Sequence, residues 1–331
     1  MVKYVQCGPD AKAINDRLTR YFHLQPVRHP QRHMVKGVGF SLTASLLFGV
    51  MYYYTSLLSP LSGEQIFGWR MLLTVPVMTL FIFIWGEWRQ IREIVQRLRR
   101  EHRLWIVLPL SSALLGVQLW LFMWAPLHDR ALEVSIGYFM LPLTMLLAGR
   151  FIYRDRLSRW QKLAALSALL GVTHGVYQAG AFSWASLLVA LGYPLYFVLR
   201  RTAKTDSVGG LWFDMLLTLP VAYWFAIGGG DSALDIFDQR PVLYALIPLL
   251  GLISASALAA YVIASRYLNL SLFGLLGYVE PVLLAAVAFL LGERIGSEQW
   301  FTYIPIWLAV GLLAMEGISN LLRARTFGDD I

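Results

Sequence analysis

The chain has 331 residues, of which 57% are hydrophobic and 15% charged, with a mean hydropathy of +0.57. Soluble domains average about 45–50% apolar and about 25% charged residues, so a disordered chain, a disulfide scaffold and an ordinary cytosolic enzyme are excluded. The net charge of +8 raises nucleic-acid binding, but only a clustered basic patch would carry it. Cys7 is the single cysteine, so no internal disulfide can form, and no Cys/His group has zinc-ligand spacing.

Residues 1–33 are polar, with Pro26, Pro30, His23, His29 and His33, and lack the apolar core of a signal peptide. They read either as a cytoplasmic tail or as an extended start upstream of Met34. A transmembrane helix needs roughly 20 mostly apolar residues. That ruler predicts ten spans, near 36–57, 64–86, 104–127, 132–153, 160–178, 183–200, 210–228, 242–265, 271–291 and 299–320. The chain is thus expected to be an all-α membrane protein, with a short tail at 323–331. Pro109, Pro142, Pro194, Pro220, Pro248, Pro281 and Pro305 fall inside spans, where neighbouring helices and water can re-satisfy the carbonyls they free. Segment 87–103 reads as a basic helix with Ile91, Ile94, Val95 and Leu98 on one stripe. It suits an interfacial helix on anionic lipid, or a helix that docks a partner.

Ten spans put both termini on one side. Of the 28 Lys and Arg residues, 24 fall on that side, Arg130, Arg240 and Arg294 fall on the other, and Arg70 lies inside a span. The positive-inside bias then makes the termini cytoplasmic. Spread over loops in this way, the basic residues signal orientation in a membrane, and no nucleic-acid partner is expected.

Two segments repeat. Gly137-Tyr138, Pro142 and Asp155-Arg156-Leu157 around the fourth span match Gly277-Tyr278, Pro281 and Glu293-Arg294-Ile295 around the ninth. Phe40-Ser41 with Ala44-Ser45-Leu46-Leu47 matches Phe182-Ser183 with Ala185-Ser186-Leu187-Leu188. Each match slips by a residue or two. The chain therefore divides into five-helix halves, 34–178 and 179–322. Because five is odd, the second half enters the membrane in the opposite sense, the arrangement that suits alternating access.

Ionisable residues inside a membrane are costly and usually face a cavity. Here they are few: Arg70, Asp214, Glu280 and Glu316, with Gln118, His174 and Gln178 as uncharged polar groups and Glu64 and Glu133 at the mouths. Arg70 is either a structural arginine paired within the bundle or a direct contact for a substrate or carboxylate. Asp214 and Glu280 are the candidates for proton coupling. Trp69, Trp120, Trp124, Tyr138, Tyr196 and Tyr278 are among many aromatics in the spans. Such residues form interface belts and core, or the wall of a cavity for organic molecules. No His box, G-x-S-x-G or P-loop is present, so ATP-driven pumping by this chain alone is not expected.

Several motifs carry a resemblance: Glu64-Gln65-Ile66 followed by Arg70, Leu121–Ala125 (LFMWA), Leu132–Phe139 (LEVSIGYF) with Pro142, Leu219–Ala222 (LPVA), Ala264–Pro281 (ASRYLNLSLFGLLGYVEP), and Gly292-Glu293. With the five-plus-five layout, the chain resembles the EamA branch of the drug/metabolite transporter superfamily and, within it, the RarD group, over about residues 34–320. It departs from the pattern at Arg154-Asp155, where Gly-Glu is usual, and at Leu141, where a polar residue often precedes the proline. The resemblance implies secondary transport of small organic metabolites or drugs across the inner membrane. It also implies a cavity lined by helices 1–4 and 6–9, with 5 and 10 peripheral.

The expected function is secondary transport by alternating access, with a small organic solute and the lipid bilayer as partners and proton exchange open. The expected cavity and gate residues are Arg70, Trp69, Gln118, Trp120, Trp124, Tyr138, Tyr196, Asp214, Tyr278 and Glu280. No catalytic residue, cofactor or metal is expected. The alternatives are a membrane enzyme or lipid-handling protein, and a sensor or interaction protein without flux.

Overall fold

The fold is taken from a computed structural model, which describes residues 30–127, 131–179, 183–227, 233–280, 282–283, 298 and 300–326. The described residues are all-helical, with no strand among them. In chain order the helices are α1 (Pro30–Thr55), α2 (Gly63–Ile84), α3 (Trp88–Arg100), α4 (Leu104–Leu127), α5 (Ala131–Ile152) and α6 (Arg159–Ala179). They continue with α7 (Trp184–Thr202), α8 (Val208–Ile227), α9 (Ala233–Gln239), α10 (Leu243–Tyr267), α11 (Leu270–Leu276) and α12 (Trp300–Thr326).

Six of these are long and apolar enough to cross a membrane: Met34–Thr55, Gly63–Ile84, Leu104–Phe122, Glu133–Ile152, Val208–Ile227 and Leu243–Tyr267. α6 and α7 form where spans are expected but are less apolar, with Arg159 and Lys162 at one end and Arg200 and Arg201 at another. The apolar part of α12, Trp300–Glu316, is shorter. Of the expected span at 271–291, α11 forms the start, while Pro281 and residues 284–291 lie outside the described residues. The short helix α9 falls between two expected spans. The outer surface is apolar: Phe83, Ile106, Phe151, Tyr177 and Trp224 are between 72% and 84% exposed. Apolar area on that scale calls for lipid rather than water around it, and the chain is a multi-pass membrane protein.

Local sequence sets several helix starts. Ser62 and Gln65 form a capping box on α2, in which Ser62 Oγ accepts from the Gln65 amide at 3.3 Å and Gln65 Oε1 accepts from the Ser62 amide at 2.9 Å. This satisfies two otherwise orphaned donors. Ser158 and Gln161 repeat the device before α6, and Asn269 caps α11 by accepting from the Leu272 amide at 2.8 Å.

The helices pack in a definite set of pairs. α1 lies along α10, α2 along α8 and α10, α4 along α7 and α8, α5 along α7 and α11, and α6 along α12. The basic helix α3 lies against α8, burying Ile91 and Ile94, while Val95 stays exposed. Part of the stripe expected to meet lipid is thus covered by protein.

The α2–α8 approach depends on Gly68, where an added Cβ would lie 2.5 Å from the Ala222 carbonyl oxygen and 2.5 Å from the Ala226 nitrogen. These are backbone atoms and cannot swing aside. Gly68→Val is expected to force the helices apart at a cost of about 3 kcal/mol, the upper end of overpacking penalties. A thermal unfolding midpoint unchanged in detergent would show that the contact is not needed.

Candidate functional site

A cavity lies between helices of the two halves of the chain. It encloses about 680 Å³, counting the space at its mouth. Its wall comes from Phe48 and Met51 on α1, Arg70 on α2, Leu115, Leu119 and Phe122 on α4, and Tyr138 and Leu141 on α5. The rest comes from Tyr193 and Tyr196 on α7, Leu211 on α8, Leu258, Tyr261 and Val262 on α10, and Glu280 beyond α11. The surface is mainly apolar and aromatic, with a few polar groups converging on it, which is the usual make-up of a small-molecule site.

The aromatic wall is held by ring-on-ring contacts. Phe122 meets Tyr138 edge-on at 5.8 Å, Tyr138 lies 6.3 Å from Tyr193, and Phe48 meets Tyr261 edge-on at 5.8 Å. Phe197 and Phe273 stand behind Tyr261, at 5.6 and 4.7 Å. Such pairs favour offset or edge geometries and stiffen the wall.

Arg70 is the basic residue of this wall. It is 1% exposed, and its Nε donates to Ser254 Oγ on α10 at 2.9 Å. Its Nη2 has no hydrogen-bond partner among the described residues. A buried guanidinium with an unused donor is costly and is suited to receive an anionic or carbonyl oxygen. Glu280 faces the same cavity, so opposite charges stand on an apolar enclosure.

A second buried charge cluster adjoins the cavity. Asp214 Oδ2 accepts from Arg200 Nη1 at 2.7 Å and from the Tyr196 hydroxyl at 3.0 Å, while Oδ1 accepts from Ser111 Oγ at 2.5 Å. Arg200 also donates to the carbonyls of Thr205 and Ser207, at 2.5 and 2.7 Å from Nη2. Asp214 is fully buried, and Arg200 and Tyr196 are 1% and 2% exposed. Tyr196 belongs to both places, its side chain on the cavity wall and its hydroxyl in the cluster.

The expected site residues separate accordingly. Arg70, Tyr138, Tyr196 and Glu280 line the cavity, and Asp214 lies behind it in the ion pair. Gln118 sits over Gly192 and donates to the Leu188 carbonyl at 2.6 Å, joining α4 to α7. Trp120 and Trp124 lie 5.2 Å apart beside a small separate core of Leu121, Ala125, Val134, Ala185 and Val189. Trp69 packs edge-on to Phe237 at 5.2 Å. Tyr278 is buried and donates to the Phe139 carbonyl at 3.1 Å. None of these five lines the cavity. His174 meets Thr302 at 3.0 Å and Gln161 donates to Glu316 at 3.3 Å, both across the α6–α12 pair.

Against known proteins, the chain is 44% identical to the chloramphenicol-sensitive protein RarD of Pseudomonas aeruginosa over 295 residues, 88% of this chain and 97% of that one. It belongs to the RarD family. An uncharacterized transporter of Pasteurella multocida is 39% identical, covering 88% of this chain and 99% of its own length. Protein RarD of Escherichia coli is 28% identical over 87% of this chain and 97% of that one. No family model matches the chain. A crystal structure at 17% identity superposes with a TM-score of 0.60, covering 85% of this chain and 98% of that one, which speaks to the fold alone. The relatives' names support a transporter role for this RarD-family chain.

Arg200 lies outside the expected set, because in the sequence it stands beside Arg201 at the end of an apolar run, where loop arginines are common. Burial depends on which side of α7 it occupies, and the i,i+4 spacing from Tyr196 to Arg200 was the available sign. Tyr193, which lies one turn along α7 from Tyr196, is a further cavity residue outside the expected set.

Proposed function

We propose that the chain is a secondary transporter that moves a small organic metabolite or drug by alternating access between two inverted five-helix halves, 34–178 and 179–322. The observation that carries this is the cavity itself: a buried arginine with an unused donor and a carboxylate, set in an aromatic wall drawn from both halves. Inverted halves exchanging conformations around a central site are a recurring transporter design.

The helix pairings support two related halves. If α1, α2, α4, α5 and α6 correspond to α7, α8, α10, α11 with its continuation, and α12, then the α1–α10 pair maps onto α7–α4. The α2–α10 pair maps onto α8–α4, while α2–α8, α5–α11 and α6–α12 map onto themselves. All of these pairs are in contact. Ten spans with both termini in the cytoplasm of an inner membrane is the topology that accords with the charge asymmetry. Arg70, Tyr138, Tyr196 and Glu280 then form the substrate site, and Glu280 is the group placed to exchange a proton with it. The other expected residues, Trp69, Gln118, Trp120, Trp124, Asp214 and Tyr278, act around that site as gates and supports. The relatives' names point to transport rather than to enzyme chemistry.

Flux in proteoliposomes of the purified chain tests this. A panel of amino acids, aromatic metabolites and cationic drugs is first screened by thermal shift, and radiolabelled hits are then followed across the bilayer. Saturable, exchangeable flux is expected. Flux that rises linearly with solute concentration would indicate an open pore, and no flux with bound ligand would favour a sensor.

A further inference from the structure

Arg70 and Asp214 hold matching places in the two proposed halves. Arg70 is followed by Met-Leu-Leu-Thr-Val-Pro-Val at 71–77, and Asp214 by Met-Leu-Leu-Thr-Leu-Pro-Val at 215–221. The match extends to geometry. Thr74 Oγ1 donates to the Arg70 carbonyl at 2.6 Å, and Thr218 Oγ1 donates to the Asp214 carbonyl at 2.8 Å. Each charged side chain also bonds a serine from the other half: Arg70 Nε to Ser254 on α10, and Asp214 Oδ1 to Ser111 on α4. Those two helices match as well, reading Leu-Trp-Ile-Val-Leu-Pro-Leu at 104–110 and Leu-Tyr-Ala-Leu-Ile-Pro-Leu at 243–249.

The surroundings of the two positions differ. Arg70 lines the cavity and keeps a buried donor, Nη2, unused among the described residues. Asp214 is sealed, with both oxygens engaged by Arg200, Tyr196 and Ser111. Equivalent positions in unlike states are expected of an inverted repeat seen in one of its two conformations.

We propose that Asp214, held in place by Arg200, is a latch that clasps α4 and keeps the cavity shut at the end where Arg97, Arg200, Arg201 and Lys204 gather. This presupposes the alternating-access function proposed above. Among the described residues, three side-chain bonds join α4 to this cluster: Ser111 Oγ to Asp214 Oδ1 at 2.5 Å, Ser112 Oγ to the Asp214 carbonyl at 2.7 Å, and Ser112 Oγ to Thr218 Oγ1 at 3.1 Å. Opening at this end parts α4 from α8 and breaks all three. Arg200 is a positioning residue. Its guanidinium ties the end of α7, the 203–207 link and the start of α8 into one body, so that the carboxylate faces Ser111. Arg97 of α3, a first-half residue whose helix packs on α8, braces that body from across the halves by donating to the carbonyls of Ala203 at 2.8 Å and Lys204 at 3.0 Å. Unlatching releases the serine clasp while leaving the Arg200–Asp214 pair intact within its half.

Side-specific labelling tests the latch in the full-length chain. On a Cys7→Ser background, Leu119→Cys places one thiol on the cavity wall. A membrane-impermeant maleimide is then applied to sealed vesicles of each orientation. Ser111→Ala removes the clasp's bond to the carboxylate with a small change of volume and keeps the ion pair, and Asp214→Asn removes the charge that holds that bond. Both are expected to raise labelling from the arginine-rich side about tenfold, the shift given by losing one hydrogen bond to a charged group. Labelling from the opposite side should fall, and the surface variant Glu93→Gln should change neither. Unchanged labelling in Ser111→Ala overturns the latch, as does an equal rise from both sides, which means general loosening. Wild-type flux is measured in parallel. Its absence would retire the transport function, whereas normal flux with indifferent latch variants retires the latch alone.

Discussion

Arg70→Ala is expected to reduce transport to background while leaving the protein folded. Arg70 is buried, donates one bond to Ser254, and presents an unused Nη2 beside the cavity. A hydrogen bond to a charged group is worth roughly 1.5–3 kcal/mol, so losing the substrate contact costs about 10- to 100-fold in flux at low substrate. If the guanidinium also steadies the occluded state, the loss is larger. The fold should tolerate the change, because removing an incompletely satisfied buried cation relieves its desolvation penalty. Arg70→Lys separates charge from shape: it keeps the cation but loses the planar fork, and intermediate flux is expected. Flux measured in proteoliposomes, beside a monodisperse gel-filtration profile, checks both halves of this expectation. Full flux in Arg70→Ala would remove Arg70 from the mechanism.

The largest effect on stability is expected at the second charge cluster. Arg200→Met leaves the Asp214 carboxylate buried with only Ser111 and Tyr196 as donors. Removing one partner of a buried pair typically costs about 3–5 kcal/mol, because the remaining charge is uncompensated. The double variant Arg200→Met with Asp214→Leu should recover most of that loss, since two apolar side chains need no ion partner. Thermal unfolding in detergent of the parent, both single variants and the double variant gives the coupling directly. A single variant within about 0.5 kcal/mol of the parent, the spread typical of surface changes, would show that the pair contributes little.

The exposed pairs of α3 offer a contrast. Arg89–Glu93 and Arg97–Glu101 are i,i+4 contacts at 2.6 and 2.8 Å. The Arg97 side chain lowers the Glu101 carboxyl below its usual range through their hydrogen bond. Water and salt screen such pairs, so neither should rival the buried cluster. Arg97 matters through the carbonyls of Ala203 and Lys204, which it reaches across the helix interface.

Much of the site was legible from composition. A charge inside an apolar span is rare enough to attract attention, and Arg70 and Glu280 were found by that rarity. Asp214 was found the same way, yet its partner was not, because Arg200 sits at a span end where loop arginines are common. Trp69, Trp120 and Trp124 stand out by aromatic density, which does not say which side of a helix an aromatic faces. The Arg70 and Asp214 octapeptides repeat in the sequence itself, apart from the Gly-Tyr and Phe-Ser repeats.

The sequence by itself determined that this chain is helical, apolar on its outside and built for a membrane. Those properties come from composition and from the length of each apolar run, which depend on neighbouring residues only. It also marked the few charges that had to be accommodated. Tertiary structure alone decided which of those charges face empty space and which are paired. Arg70 and Asp214 precede almost the same local sequence, yet one opens on the cavity and the other is locked to Arg200, because the partners come from helices distant in the chain. Burial and pairing are properties of the packed bundle, and there the first excess of hydrophobic residues resolves into a lipid-facing surface around a polar-edged cavity.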